Sequence, residues 1–292
     1  MDLGTAIALV HARRPELDLS TATLVSPGWD FDVLLDDEWV FRFPRRADGA
    51  VKLTMEVTLL PALRPRMPAA VPMIEVQGVL PDGVTRWAGY RRIPGEPVTA
   101  DLLGSSRGGL ARSQIAGVLA ALADVSVREA GEIGVPVVDV DGWWSAWKTT
   151  NERIRIDVLP LLDSATAGAA AELLDAALPR DFSPALLHGD FHPGHLLADA
   201  ARGVIHGVID WSGARVGDPA LEAAQLIEDL PESVVTELLP PYADDAFWVR
   251  ARAYRRRFPL EEVLHGLDTG EQRFVERGIL ESAAVLGEAV PR

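Results

Sequence analysis

The chain has 292 residues, is 48% hydrophobic and 24% charged, and carries a net charge of -15, so it can build one large or two smaller domains with sizeable cores. That acidity disfavours non-specific nucleic-acid and anionic-membrane partners, both of which need a basic surface. The absence of cysteine removes disulfides and thiolate metal sites, and no apolar run approaches the roughly 18 residues of a membrane span. The N-terminus opens with an acid and places Arg13-Arg14 after its apolar patch, the wrong order for a signal peptide, and the expected location is cytoplasmic.

Leu3, Ile7 and Val10 recur at helical spacing, which predicts a short helix over 2–13. Strand-like runs follow at Thr21 to Val25, Phe31 to Leu35 and Trp39 to Phe43, joined by the turn Ser26-Pro27-Gly28-Trp29-Asp30 and by Asp36-Asp37-Glu38. In the third run Arg42 alternates away from Phe41 and Phe43. Leu53, Val57, Leu60 and Leu63 mark a helix with Glu56 off their stripe, and 74–79 and 87–93 read as strands. Pro94-Gly95-Glu96-Pro97 is a breaker cluster suited to a linker.

The composition then turns helical. Helical patterns cover 110–125, 143–162 and 165–178, and Pro259 suits the first position of a further helix in the tail. The expected architecture is α+β: a small antiparallel-sheet lobe at 1–93, a linker at 94–97, and a larger, mainly helical lobe at 98–292.

The most informative stretch is 186–218. Two short apolar runs end in carboxylates, Asp190 and Asp210, with a loop carrying His188, His192 and His195 between them. Phosphoryl transfer needs a carboxylate to take the proton of an attacking hydroxyl, a second carboxylate to hold Mg²⁺, and a steadied cation on the donor phosphates. Asp190 fits the first role and Asp210 the second, since a carboxylate at the end of an apolar strand is costly to bury unless paired or metal-bound. An isolated Asp in such a loop would more often cap a turn; the second carboxylate is what points to chemistry.

His195 has two open roles. Mg²⁺ prefers oxygen ligands, so the imidazole either reaches the metal through a water or shapes the loop by hydrogen bonds. His188 and His192 read as loop-packing residues, and nothing fixes the geometry that a His188/His192/Asp210 zinc set would need. Arg42 is the candidate phosphate cation and Glu56 its partner. Gly28-Trp29-Asp30 stands where a phosphate-covering turn would, without the G-x-G-x-x-G pattern. Asp218 most simply caps the helix that follows Pro219.

The segment His188-Gly189-Asp190-Phe191-His192-Pro193-Gly194-His195, with Ile209-Asp210-Trp211 and Gly217-Asp218-Pro219, resembles the catalytic loop and metal-binding segment of the antibiotic phosphotransferase family. The likeness runs from about residue 20 to the end. Most members carry Asn at the place of His195. The macrolide phosphotransferases carry His there, with a similar I-D-W-x-x-A-x-V stretch (Ile209 to Val216) and a similar W-V-x-R-x-P-R-R strand (Trp39 to Arg46).

The resemblance implies the two-lobed protein-kinase-like fold. It implies transfer of the γ-phosphate of GTP, or of ATP, to the 2'-hydroxyl of a macrolide's desosamine, with Mg²⁺. Carried over by position, Asp190 is the base, His195 and Asp210 are metal-site residues, Arg42 takes the place of the kinase lysine with Glu56 its helix partner, and Tyr90, Arg91, Arg92 and Ile93 form the hinge against the base. Arg in place of Lys departs from the wider fold. Glu222 falls where many relatives place Asp. The expected partners are a macrolide and a nucleotide, with no nucleic acid and no membrane, and the expected state is a monomer. An apolar pocket with an acidic element is expected around Trp143, Trp144, Trp147, Leu226, Ile227, Glu228 and Asp229, at least one Trp being core.

Overall fold

Alternation of side chains along β3 organises the first lobe. In the computed structural model, which describes residues 1–26, 28–239 and 243–287, this lobe holds α1 (Leu3–His11), β1 (Thr23–Val25), β2 (Phe31–Leu35), β3 (Trp39–Pro44), α2 (Ala47–Leu63), β4 (Ile74–Val79) and β5 (Arg86–Arg91). The five strands form one antiparallel sheet in the order β1-β2-β3-β5-β4. Trp39, Phe41 and Phe43 pack with Ala6, Val10 and Trp87 on the α1 side. The period of two turns Arg42 to the opposite face, beside Phe31 and Leu53 under α2.

Pro94 and Gly95 leave this sheet, and the next two residues join the second lobe. Glu96–Pro97, within the expected linker, is a short strand, β6. Next come α3 (Ala100–Gly104), α4 (Gly109–Ala123), α5 (Val127–Ile133), α6 (Val140–Arg153), α7 (Ser164–Asp175), β7 (Ala185–Leu187), β8 (Leu196–Asp199), β9 (Val204–Val208), β10 (Arg215–Gly217), α8 (Ala220–Asp229), α9 (Glu232–Leu238), α10 (Asp245–Thr269) and α11 (Gln272–Gly287). β6 pairs with β8 and β8 with β9, while β7 pairs with β10. Both small ladders lie on the main core, where Leu186, Leu187, Phe191, Val208, Trp211 and Val216 are buried with α4 and α8. The fold is the two-lobed kinase-like one.

Two expectations about the helices need correction. Pro259 does not open a helix; it lies inside α10, a 25-residue helix. A proline there gives up one backbone hydrogen bond. The helix continues because α11 packs closely over it: a Cβ on Gly278 would lie 2.7 Å from the Pro259 carbonyl oxygen. The pattern over 143–162 is not one α-helix either. α6 ends at Arg153 and passes into a π turn over Ile154–Val158, whose Ile154 and Val158 are fully buried. No single helix among the described residues is long and apolar enough to cross a membrane.

Candidate active site

Asp190 is presented by a turn that only glycine can make. β7 ends at Leu187, and Gly189 turns with φ +79°; a Cβ there would lie 2.0 Å from the carbonyl oxygen of Gly213. His188 beneath it is fully buried. Its Nδ1 accepts the Asp190 N–H at 3.2 Å, so Nε2 carries the proton and donates to the Ile209 carbonyl at 3.0 Å, tying the two carboxylate-bearing loops together. Burial, with His195 nearby, pushes His188 down to about 3, so it is neutral. His192 accepts the Gly194 N–H on Nδ1 at 3.1 Å, and burial pushes it down to about 4.

His195 lies between the two carboxylates. Its Nδ1 donates to the Asp190 carbonyl at 2.9 Å and lies 3.4 Å from that carboxylate. This leaves the Nε2 lone pair facing Asp210, 3.8 Å from Oδ2. Asp210 has φ 58°, the one positive value outside glycine among the described residues. Such backbone costs about 1–3 kcal/mol and persists where surrounding contacts hold it. Here they include Ser212 Oγ, which donates to Oδ1 at 2.9 Å, and Arg42 Nη2, which donates to the same oxygen at 2.7 Å.

The two acids differ in their surroundings. Enclosure in the cleft pushes Asp190 up to about 6, with Asp210 adding to the rise and His195 opposing it. Burial would raise Asp210 too, but the Arg42 guanidinium, helped by the Ser212 hydroxyl, outweighs it and holds that carboxyl below the usual carboxylate range.

Arg42 joins the lobes. Its Nη1 donates to both oxygens of the fully buried Glu56 at 2.8 and 2.6 Å while Nη2 reaches Asp210, and its guanidinium lies 3.9 Å from the Phe31 ring centroid. Burial works against its charge, but Glu56 and Asp210 hold it cationic. The other hinge-side positions separate. Tyr90 is buried near Arg42, and burial raises its hydroxyl pKa. Arg91 leans on Trp39, 4.2 Å from the ring centroid, and pairs with Glu38; Arg92 donates to the Asp36 carbonyl at 3.2 Å. Both side chains follow the β2–β3 hairpin, away from Asp190. Ile93 packs against Gly207.

Arg42, Asp190, His192, His195, Asp210 and Ser212 line an interlobe cleft of about 890 Å³, whereas Glu56 and residues 90–93 are not part of its lining. Its lining also includes the turn Gly28-Trp29-Asp30 and a wall of Trp143, Trp147, Tyr254, Glu228 and Asp229. Trp144, Leu226 and Ile227 do not belong to that wall: Trp144 and Leu226 are core, and Ile227 packs against the core. Asp218 does more than cap. It accepts the Ala220 N–H at 3.0 Å, Arg250 Nε at 2.6 Å and the Tyr254 hydroxyl at 2.7 Å, and Tyr254 in turn accepts Trp143 Nε1 at 2.9 Å. A buried network thus fixes the aromatic wall.

Sequence reading left the α8 contacts undrawn. Glu222 and Gln225 are buried and bond the backbone of the Asp190 loop. The signal was there: two polar residues one turn apart in Ala220-Leu221-Glu222-Ala223-Ala224-Gln225-Leu226 interrupt an otherwise apolar run.

The sequence profile of the phosphotransferase enzyme family matches residues 21–258. The chain belongs to that family. It is 28% identical over 195 residues, 64% of this chain and 66% of the relative, to a viomycin phosphotransferase of Streptomyces vinaceus. Among solved structures it resembles the GDP complex of aminoglycoside 2'-phosphotransferase-IIIa, with a TM-score of 0.84, 22% identity and 98% of each chain covered. A type I macrolide 2'-phosphotransferase superposes with a TM-score of 0.71 at 23% identity over 99% of each chain.

This phosphotransferase has the donors for a divalent cation. The Asp210 carboxylate and the free Nε2 of His195 face one another across a gap of 3.8 Å. An oxygen-preferring ion would take Asp210 directly and His195 through a water. Asp190, His192 and His195 also bring ligand atoms within 4.8 Å of one another. His192 is a poor member of that set, because the Gly194 N–H occupies its Nδ1 lone pair and leaves the proton on Nε2.

Proposed function

We propose that this phosphotransferase transfers the γ-phosphate of a purine nucleoside triphosphate to a hydroxyl of an amine-bearing antibiotic. The observation that carries the reading is the convergence of Asp190, His195 and Asp210 with the Arg42–Glu56 pair in one interlobe cleft. Asp190 is the base: ionised, it accepts the proton of the acceptor hydroxyl as that oxygen bonds to the γ-phosphorus and the nucleoside diphosphate leaves. Arg42, held by Glu56, steadies the donor phosphates. Asp210 directly, and His195 through a water, would hold Mg²⁺, which would neutralise charge on those phosphates. GTP is the proposed donor, by analogy with the neighbour solved with GDP, and ATP is the alternative. Tyr90, Arg91, Arg92 and Ile93 are proposed to contribute their backbone to the base site.

The acceptor wall combines Trp143, Trp147 and Tyr254 with the acid Glu228, a surface suited to an apolar body carrying a cationic amine. A macrolide with its desosamine amine is the proposed acceptor, supported by the strand at 39–46, His195 and the stretch at 209–216. A viomycin-like peptide or an aminoglycoside is the second reading, favoured by the 28% identity to the viomycin enzyme. Incubation with erythromycin, viomycin or kanamycin, with GTP or ATP and Mg²⁺, tests both by mass spectrometry. Erythromycin is expected to gain one phosphoryl group with the highest kcat/KM. Preference for another acceptor would overturn the macrolide reading, and transfer to none would overturn the class.

A further inference from the structure

Five backbone polar groups around Asp190 have partners, and one side chain supplies two of them. The Gly189 N–H goes to Glu222 Oε1 at 3.2 Å. The Asp190 N–H goes to His188 Nδ1, and its carbonyl accepts His195 Nδ1 at 2.9 Å and the His192 N–H at 3.1 Å. The remaining two groups flank the carboxylate. Gln225 Nε2 donates to the Gly189 carbonyl at 2.8 Å, and Gln225 Oε1 accepts the Phe191 N–H at 2.7 Å. Gln225 is buried, and it lines the cleft.

We infer that Gln225 is a positioning residue that sets where the Asp190 carboxylate stands in the cleft. The inference rests on the phosphotransfer reading above for its kinetic consequence, but not for its geometry. The loop needs a donor and an acceptor from one side chain: a carbonyl before Asp190 and an N–H after it must be met at once. Only one orientation of a carboxamide satisfies both. A carboxylate at the same reach satisfies the N–H and sets an oxygen against the Gly189 carbonyl. An apolar side chain satisfies neither, and buried backbone groups without partners shift until they find water. The other side of the loop cannot yield, because Gly189 already rests against the Gly213 carbonyl. Displacement therefore moves Asp190 itself, and small misplacement of a catalytic group is expensive.

The test uses the full chain with Gln225→Met and Gln225→Glu. Gln225→Met, close to isosteric, is expected to lower kcat on the order of 10- to 100-fold while the KM for nucleotide stays within about twofold. Gln225→Glu carries a distinct signature. Its protonated carboxyl can donate to the Gly189 carbonyl and accept from Phe191 as the amide does, so its activity relative to the parent should rise as pH falls. Equal kcat for Gln225→Met and the parent, or a pH-independent ratio for Gln225→Glu, would overturn the inference.

Amide hydrogen exchange separates this from the functional reading. In Gln225→Met the Phe191 amide should lose protection while the Val208 and Leu186 amides keep theirs. If the parent phosphorylates none of the acceptors, the functional reading fails and the exchange pattern still decides the role of Gln225. Retained Phe191 protection sinks it.

Discussion

Asp190 and Asp210 face one cleft with opposite electrostatic settings. Asp210 has Arg42 at 2.7 Å, which outweighs burial and holds its carboxyl below the usual carboxylate range. Asp190 has His195 and, more weakly, Arg215 against enclosure and the charge of Asp210, and its pKa is pushed up to about 6. A base must be deprotonated, so the phosphotransfer rate is expected to fall as pH drops through about 6. Asp190→Asn should lower kcat by about 10² to 10⁴ at all pH values and abolish that acidic limb; an unchanged limb would assign it to another group. Glu222 gives a stability counterpart. It is 3% exposed, its Oε2 has no hydrogen-bond partner, and burial pushes it up to about 7. An unfolded Glu titrates near about 4.3, so the native state binds this proton more tightly. Its stabilising contribution is complete below that value and is lost as pH rises through about 7. Glu222→Gln should therefore lose less stability than the parent between these pH values in thermal melts. None of these distinctions was legible in the sequence. The acids could be named from their apolar approaches, but the setting of Asp210 depends on Arg42, 168 positions away along the chain.

At the scale of elements, the strands of the first lobe and their order of appearance could be read from alternation and turns, because local pattern decides them. Arg42 and Glu56 could be paired as candidates for the same reason: each stood off the apolar stripe of its element. The sequence misled where tertiary contact overrides local preference. Pro259 reads as a helix start, but packing under Gly278 keeps it inside α10. Glu96-Pro97 reads as a breaker, but β8 recruits it as an edge strand. The same corner of the molecule holds a contact between lobes that no local pattern announces. Trp29, in the turn over the cleft, stacks on His265 at 3.9 Å with the rings 9° apart and meets Phe274 edge-on. Glu271, between α10 and α11, accepts Arg45 at 2.9 Å, Arg46 at 3.3 Å and Arg273 at 3.0 Å. Arg46 also holds the Trp29 carbonyl, and Arg273 the Ser26 carbonyl at 3.0 Å. Of these residues Trp29 also lines the cleft, so on the proposed function a nucleotide passing under its turn would need this latch to open. An aromatic pair is worth about 0.5–1.5 kcal/mol beyond burial. Trp29→Ala should accordingly raise the nucleotide dissociation rate in stopped-flow displacement by about threefold to tenfold, with a small loss in melting temperature. An unaltered rate would mean that the nucleotide leaves by another route.

On the proposed function, the charge of the whole molecule would act on the two substrates in opposite directions. The chain carries -15, while the charges at the cleft are largely paired locally: Arg42 with Glu56 and Asp210, Lys52 with Asp30, Arg257 with Glu261. What an approaching ligand meets at long range is therefore the net field, which is negative. A cationic amine is drawn in by that field and an anionic nucleotide is repelled. Salt screens both effects, since the Debye length falls from about 10 Å at 0.1 M to about 3 Å at 1 M. The Arg42–Glu56 contact is buried and changes little, so the chemical step has no reason to follow the same trend. Raising ionic strength should then lower kcat/KM for an amine-bearing acceptor and raise kcat/KM for the nucleotide, with kcat nearly constant. Steady-state kinetics at several salt concentrations, with each substrate varied in turn, measures both slopes. Slopes of the same sign would mean that local charge at the cleft mouth, rather than the net charge, governs entry. Glu228 and Asp229 on the acceptor side would then be the residues to neutralise, because a purely local effect should vanish for the acceptor alone in Glu228→Gln.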